Sequence, residues 1–451
     1  MMMNLQAEGL AESLKWLPFD KPNSLLKKMN RLQTFLKNHG IALWIFALIA
    51  GFIFLNPFPH VTALKEISFY AAVGLTCSGI ALKRISFRFT SPLTVPFLLI
   101  FVWSSTGIFF AVDRANTIHD LYAHFMKYVA MYYLLVNIFD SRVRLTALAW
   151  TIILSTAAFC VWSVSYFYLF LGHPIGQQLG VGVFKEIPTN IIGIVTVFGI
   201  LLSLQTLSLE SRTKHKIAII LMLALMVPAT LLTQTRSTFL ALFCVLVILS
   251  LRNRRMMFFI VALVILILTL PIRDRLTPSA ILDKLERDDR IYISLAYIEI
   301  FKDFPIQGIG FGLQSYADVN FLKKYYDRGD PDRRAKEITK APHNSIIDIL
   351  VRLGIVGLVL YLYALYKAVM MVIMLAMSKA DPYIGNWGLT LFCALVALLI
   401  QGMFENVHSG PAAIVFYVQL AMITILWKTA QEGEGPPIEG RLPLVNRPGG
   451  I

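Results

Sequence analysis

The sequence predicts an all-α, polytopic membrane protein, and three observations carry that prediction. Its 451 residues are 57% hydrophobic and only 15% charged, with a mean hydropathy of +0.66, a balance foreign to ordinary soluble domains. The apolar residues gather into runs of about 20, the length that crosses a bilayer core as a helix. Basic residues concentrate between alternate runs, as positive-inside orientation requires.

Taken in order, residues 1–40 form a mostly polar segment that is expected to be cytoplasmic. Within it, SLLKKMNRLQTFLK at 24–37 puts Leu25, Leu26, Met29, Leu32, Phe35 and Leu36 on one helical face. Lys27, Lys28 and Arg31 lie opposite, the pattern of a helix resting on an anionic leaflet; a plain linker before the first span is the alternative. Because a long polar stretch precedes the first apolar run, that run reads as an uncleaved anchor rather than a signal peptide. Twelve candidate spans follow, near 41–57, 68–82, 93–111, 117–138, 146–171, 190–207, 217–232, 237–251, 256–271, 345–366, 387–404 and 410–427. Grouped by domain, spans one to nine occupy 41–271, a large loop 272–344, spans ten to twelve 345–427, and a tail 428–451. The tail is rich in proline and glycine and is expected to be disordered.

The net charge of +14 is mostly topology and not a nucleic-acid footprint. Lys83, Arg84 and Arg88, Arg142 and Arg144, Arg212, Lys214 and Lys216, and Arg252, Arg254 and Arg255 all fall between spans on the expected cytoplasmic side. The short loops of the other side hold only Lys65, Arg114, Lys185 and Arg236. Cys77, Cys160, Cys244 and Cys393 all lie inside predicted spans, which leaves neither a disulfide framework nor a zinc spacing.

The hydrophilic loop 272–344 is long enough for a small helical subdomain. Asp288 or Asp289 can cap a helix from Arg290 to about Phe304, with Ile291, Leu295 and Ile298 as its apolar stripe. Pro305 and the glycines of GIGFG end it. That GxGxG follows a helix and not a strand, so it reads as a turn and not a phosphate loop.

The stretch HNSIIDILVRLGIVG, His343 to Gly357, opens the tenth span. Asn344 or Ser345 is a good N-cap, which puts His343 at the outer membrane boundary, beside free backbone N–H groups that attract anions. Asp348 and Arg352, spaced i, i+4, can neutralise each other. Gly354 and Gly357 offer a small-residue patch for a neighbouring helix. By itself such a histidine is either an interfacial anchor or a catalyst. Arg236, in LLTQTRSTFL, and Arg290 also lie on the outer side. There their guanidinium forks would suit a diphosphate, or equally a lipid headgroup or a loop carboxylate. Asp120, His124 and Lys127 fall at i, i+4, i+7 on the fourth span. Lys127 is too deep to snorkel easily, so it lines either a functional cavity or a buried ion pair. Glu405 and His408, at the outer end of the eleventh span, rank lower.

These residues carry a resemblance to the O-antigen ligases, within the superfamily of O-antigen polymerases and related glycan-transfer membrane proteins. His343, Asn344, nine residues, Gly354 and Gly357 match the family's histidine motif in full, Arg236 to Leu240 matches its Arg-x-x-x-Leu, and Arg290, Pro305, Gly308 and Gly310 match the superfamily's Arg…Pro-x-x-Gly-x-Gly. The resemblance implies a GT-C-like membrane fold in the bacterial inner membrane. Its activity would be transfer of polysaccharide from undecaprenyl diphosphate to lipid A–core at the periplasmic face, inverting if the attack is in line. It implies His343 as catalytic base, Arg236 and Arg290 as donor-binding residues, and no cofactor; Lys127, from its own depth in the fourth span and not from the resemblance, is a further candidate for donor binding. The residues themselves lead to a metal-independent reaction: the first outer loop, near 57–67, has Glu66 as its one acidic residue, and the D-x-D of Asp330 and Asp332 reads as a solvated loop pair rather than a metal site.

Three rivals follow. An O-antigen polymerase would carry functional arginines in a second large outer loop, and GHPIGQQLGVGVFKEIPTN has none. A protein O-oligosaccharyltransferase would use the same donor. A secondary transporter or flippase would show paired repeats and broken helices, and no repeat is evident.

Overall fold

In a computed structural model, residues 40–180, 189–252, 254, 256–269, 289–316, 318–329 and 342–432 are described, and among them every regular element is helical. A helix coincides with each of the twelve apolar windows. In chain order the first seven are α1 (Gly40–Leu55), α2 (Thr62–Ala81), α3 (Thr94–Gly107), α4 (114–138), α5 (Arg142–Phe170), α6 (Thr189–Leu209) and α7 (Thr213–Leu232). Two more, α8 (Arg236–Arg252) and α9 (Met256–Thr269), precede the loop helices α10 (Asp289–Asp303) and α11 (Val319–Gly329). The chain returns through α12 (Ser345–Ala376), α13 (Pro382–Gly402) and α14 (Gly410–Glu432). Six of these, α5 to α7 and α12 to α14, are long and apolar enough to cross a membrane, while α1 and α3 are shorter apolar helices. The N-terminal helix expected over 24–37, the acidic pair Asp330 and Asp332, and the tail beyond 432 lie outside the described residues.

Contacts between connections define two ends of the bundle. At one end Asn56 donates to the Pro411 carbonyl (3.2 Å), Val112 N–H to Ile309 (3.0 Å) and Leu179 N–H to Leu232 (2.8 Å). At the other, Arg88 pairs with Glu432 (3.6 Å), Arg142 with Asp381, and Arg252 donates to Asn386 (3.2 Å). The basic connections thus gather at one end, and the His343 end is the opposite one. Burial is deepest in α14 and α6, where 83% and 78% of the apolar window is covered by other helices. These two form the centre around which the rest pack.

The tenth span departs from a simple helix. Gly354 sits at φ 67°, ψ −173° inside α12, a region essentially reserved for glycine. At Gly354 it is therefore not a neighbouring helix but the Pro305–Gly310 loop that approaches, and a Cβ there would stand 2.0 Å from the Ile306 carbonyl oxygen, whereas Gly357 faces the Leu353 side chain of its own helix. Four of the backbone groups freed by the break find partners outside the helix, as buried amides and carbonyls require. Ile309 N–H donates to Val351 (3.0 Å), Gly310 N–H to Arg352 (3.0 Å), and Ile355 N–H to Pro305 (2.9 Å). The Trp103 indole donates to Leu353 (2.8 Å). Gly308, at φ 66°, would place a Cβ 2.5 Å from the Arg352 carbonyl, so the GIGFG turn is shaped to enter this break. On its other side Leu313 N–H donates to Asp120 (2.6 Å), which ties the loop to α4.

Helix α10 forms where the sequence places it, but its buried face is a different one. Ile293, Ala296, Tyr297 and Ile300 pack with Leu322, Tyr325 and Tyr326 of α11 and with Val351 of α12. Leu295 and Ile298 are exposed, and the side chain of Ile291 lies outside the described residues. The helix carries apolar residues on two stripes, and the one containing the small Ala296 allows the closer approach.

Candidate functional site

Asn344 caps α12, its Oδ1 accepting from the N–H groups of Ile346 (2.9 Å) and Ile347 (3.1 Å). The cap fixes where the chain turns into the bundle and therefore where His343 projects. The connection between α13 and α14 wraps this corner. Ser345 Oγ donates to the Glu405 carbonyl (2.9 Å) and accepts from Val407 N–H (3.0 Å), and Asn344 donates to the Met403 carbonyl (3.3 Å). His343 Nδ1 then lies 3.3 Å from Glu405 Oε1, with its side chain 30% exposed and that of Glu405 only 11%. The second carboxylate oxygen accepts from Asn190, at the start of α6 (2.8 Å), and Oε1 also accepts from Asn406 N–H (3.1 Å).

Burial pushes the Glu405 carboxyl upward. Hydrogen bonds from His343 and Asn190, the charge of the ring and the Asn406 amide outweigh it, and its pKa falls below the ordinary carboxylate value. Glu405 is therefore an anion at neutral pH. An anionic carboxylate only accepts, so Nδ1 of His343 bears the proton in this contact; in the neutral ring Nε2 then holds the lone pair that a substrate hydroxyl would meet. An imidazole at the bundle rim, seated on a buried carboxylate, can receive a proton and have the resulting charge balanced.

Arg236 is the first residue of α8 and is partly buried. Two residues on, Thr238 accepts from Gln401 of α13 (3.4 Å), and Gly193 of α6 leaves room for its side chain, since a Cβ there would meet Thr238 Oγ1 at 2.0 Å. The end of α8 bearing Arg236 is thus fastened to the helix that supplies Asn190. Arg290 lies in the first turn of α10, with its side chain outside the described residues.

The fourth-span residues do not form one cluster. A π-helical turn, Leu121–Met126, interrupts α4 between Asp120 and Lys127, and the two take different partners. His124 Nε2 stays 3.5 Å from Asp120. Lys127 pairs with Glu66 of α2, and its ammonium lies 5.7 Å from the Phe69 ring centre. Deeper in α12, Arg352 stands 3.5 Å from Asp348, both essentially buried, with the guanidinium 4.7 Å from the Phe311 ring centre. His408 packs edge-on against Tyr361. Burial and Arg352 push its pKa down to about 3, which makes it a neutral imidazole at physiological pH and unsuited to proton transfer there.

Sequence reasoning underrated Glu405 and passed over Asn190. The available signal for Glu405 was an acidic residue at the mouth of an apolar span with no cation one turn away. Asn190 gave no signal, because an asparagine opening a span reads as a helix start.

The helices and the rim site define a class first: an all-helical membrane protein with a histidine–carboxylate pair at one end of its bundle. Residues 221–362, about a third of the chain, match the family model described as O-antigen ligase, which supports membership in the O-antigen ligase/polymerase superfamily. Members of that family are glycosyltransferase-like enzymes acting on lipid-linked glycans. No curated protein matches the chain. The matched segment contains His343, Arg236 and Arg290; Lys127, Asn190 and Glu405 lie outside it.

Proposed function

We propose that this protein is an O-antigen ligase of the bacterial inner membrane, with its site facing the periplasm. It transfers polysaccharide from undecaprenyl diphosphate to a sugar hydroxyl of lipid A–core. The observation that carries this reading is the imidazole of His343, set at the rim of the bundle within the family-matched segment and seated on the Glu405 carboxylate. His343 takes the acceptor proton through Nε2 as the oxygen attacks the anomeric carbon. The bond from that carbon to the diphosphate oxygen breaks, and the leaving group departs with the electron pair. Attack opposite the leaving group inverts the anomeric centre. Arg236 and Arg290 balance the charge that grows on the diphosphate, and no nucleotide enters because the sugar–diphosphate bond supplies the driving force.

Purified protein supplied with lipid-linked glycan and lipid A–core, without ATP, should give a ladder of larger lipid A–core products. Activity should persist in chelator. Elongation of glycan on the lipid carrier, with lipid A–core unchanged, would assign polymerase activity instead. Activity lost to chelator and restored by a divalent cation would overturn the metal-independent route.

A further inference from the structure

The histidine motif does not account for what holds the imidazole. Glu405 comes from the connection between α13 and α14, and Asn190 from the first turn of α6; neither lies in the segment matched to the family. Glu405 is buried and three donors converge on its carboxylate: His343 Nδ1 and Asn406 N–H on Oε1, Asn190 Nδ2 on Oε2. Each oxygen faces a donor, so the plane of the carboxylate is fixed from both sides. Asn190 cannot drift away, because α6 is one of the most enclosed helices of the bundle and Gly193, one turn on, is locked against Thr238. Were the only requirement to cover the corner, an apolar residue at 405 would do it without burying a charge.

We propose that Glu405 and Asn190 are positioning residues of a three-membered relay, in which Asn190 fixes the carboxylate of Glu405 and Glu405 fixes the tautomer and orientation of His343. This rests on the proposed reading of His343 as the base. In the step itself the acceptor O–H proton passes to Nε2, and the Nδ1 proton stays on the ring. The imidazolium is balanced by the Glu405 anion until its proton leaves for the released diphosphate or for water. Asn190 carries no proton and acts only through the carboxylate.

Two substitutions of Glu405 separate charge from geometry. In Glu405→Gln the new amide has one acceptor oxygen; that oxygen can take the Oε1 position, toward His343 and Asn406, if Asn190 turns its own oxygen toward the amide nitrogen. Glu405→Gln therefore keeps the Nδ1–H tautomer while removing the charge, whereas Glu405→Ala removes both.

The test uses the full-length protein labelled with 15N-histidine, with His343→Gln assigning one of the eight histidines. The neutral ring of His343 should carry its proton on Nδ1 in the wild type and in Glu405→Gln. In Glu405→Ala it should move toward the Nε2–H form that water favours. For transfer, kcat should fall about 10²-fold in both variants at 405 and about tenfold in Asn190→Ala, with donor KM within about threefold of wild type. An Nε2–H ring in the wild type, ring signals unchanged in Glu405→Ala, or variants that raise KM at constant kcat would each overturn the relay. The ring measurement needs no substrate. A protein that transfers no glycan yet shows the Nδ1–H ring and its shift in Glu405→Ala would therefore refute the reaction and leave the positioning intact.

Discussion

Gly354→Ala should be among the most damaging single-methyl additions in this protein. The backbone there adopts φ 67°, ψ −173°, and a side chain in such a conformation costs about 1–3 kcal/mol. The added Cβ would also lie 2.0 Å from the Ile306 carbonyl oxygen and 2.8 Å from Gln307 N, both backbone atoms that cannot swing aside. The Pro305–Gly310 loop must then withdraw, breaking the bonds from Ile309 to Val351 and from Gly310 to Arg352. A buried backbone group left without a partner costs about 1–3 kcal/mol, so the total reaches about 3 kcal/mol or more. Gly51→Ala is the control, since a Cβ there meets nothing within 4 Å and alanine favours the helix. Thermal unfolding of the purified proteins in one detergent makes the comparison. A Gly354→Ala protein that unfolds at the temperature of Gly51→Ala would refute the account of the helix break.

Lys127→Met and Glu66→Gln should each destabilise the protein, while the double variant recovers part of the loss and transfers glycan normally; weakened donor binding in a stable double variant would instead make Lys127 a substrate contact. Arg236→Lys and Arg290→Lys keep the charge but lose the paired fork, so transfer should fall about tenfold or more, and near-normal turnover in both would remove the diphosphate clamp. Because its pKa is depressed, Glu405 contributes stability that is present above the unfolded carboxylate pKa and lost as pH falls through the folded one. The difference in unfolding temperature between wild type and Glu405→Gln should thus be full at neutral pH and close below the ordinary carboxylate range; a gap that widens in acid would contradict an ionised Glu405.

The helices were legible in the sequence because lipid allows a spanning chain few alternatives: apolar runs of about 20 residues must be helical. Asn344 as a cap and the Asp348–Arg352 pair were equally legible, since both are local. What escaped depended on groups far apart in the chain. A glycine pair in an apolar span is compatible with a close helix or with a break, and only the arrival of the 305–310 loop decides between them. The π-helical turn in α4 leaves no mark in composition, and helical spacing alone does not tell that Lys127 pairs with Glu66 of α2 while Asp120 accepts from Leu313 N–H. Glu405 lies 62 residues beyond His343, and their pairing is fixed by how α12, α13 and α14 pack rather than by any spacing.

The role of His343 is tested most directly by turnover per folded molecule in His343→Ala. Asn344 and Ser345 remain to cap and clamp α12, so the variant should fold and insert, and donor binding should hold. General-base catalysis contributes about 10²–10⁴-fold, and glycan transfer to lipid A–core should fall by that factor. Undiminished transfer per folded molecule without the imidazole would contradict the assignment of His343 as the catalytic base.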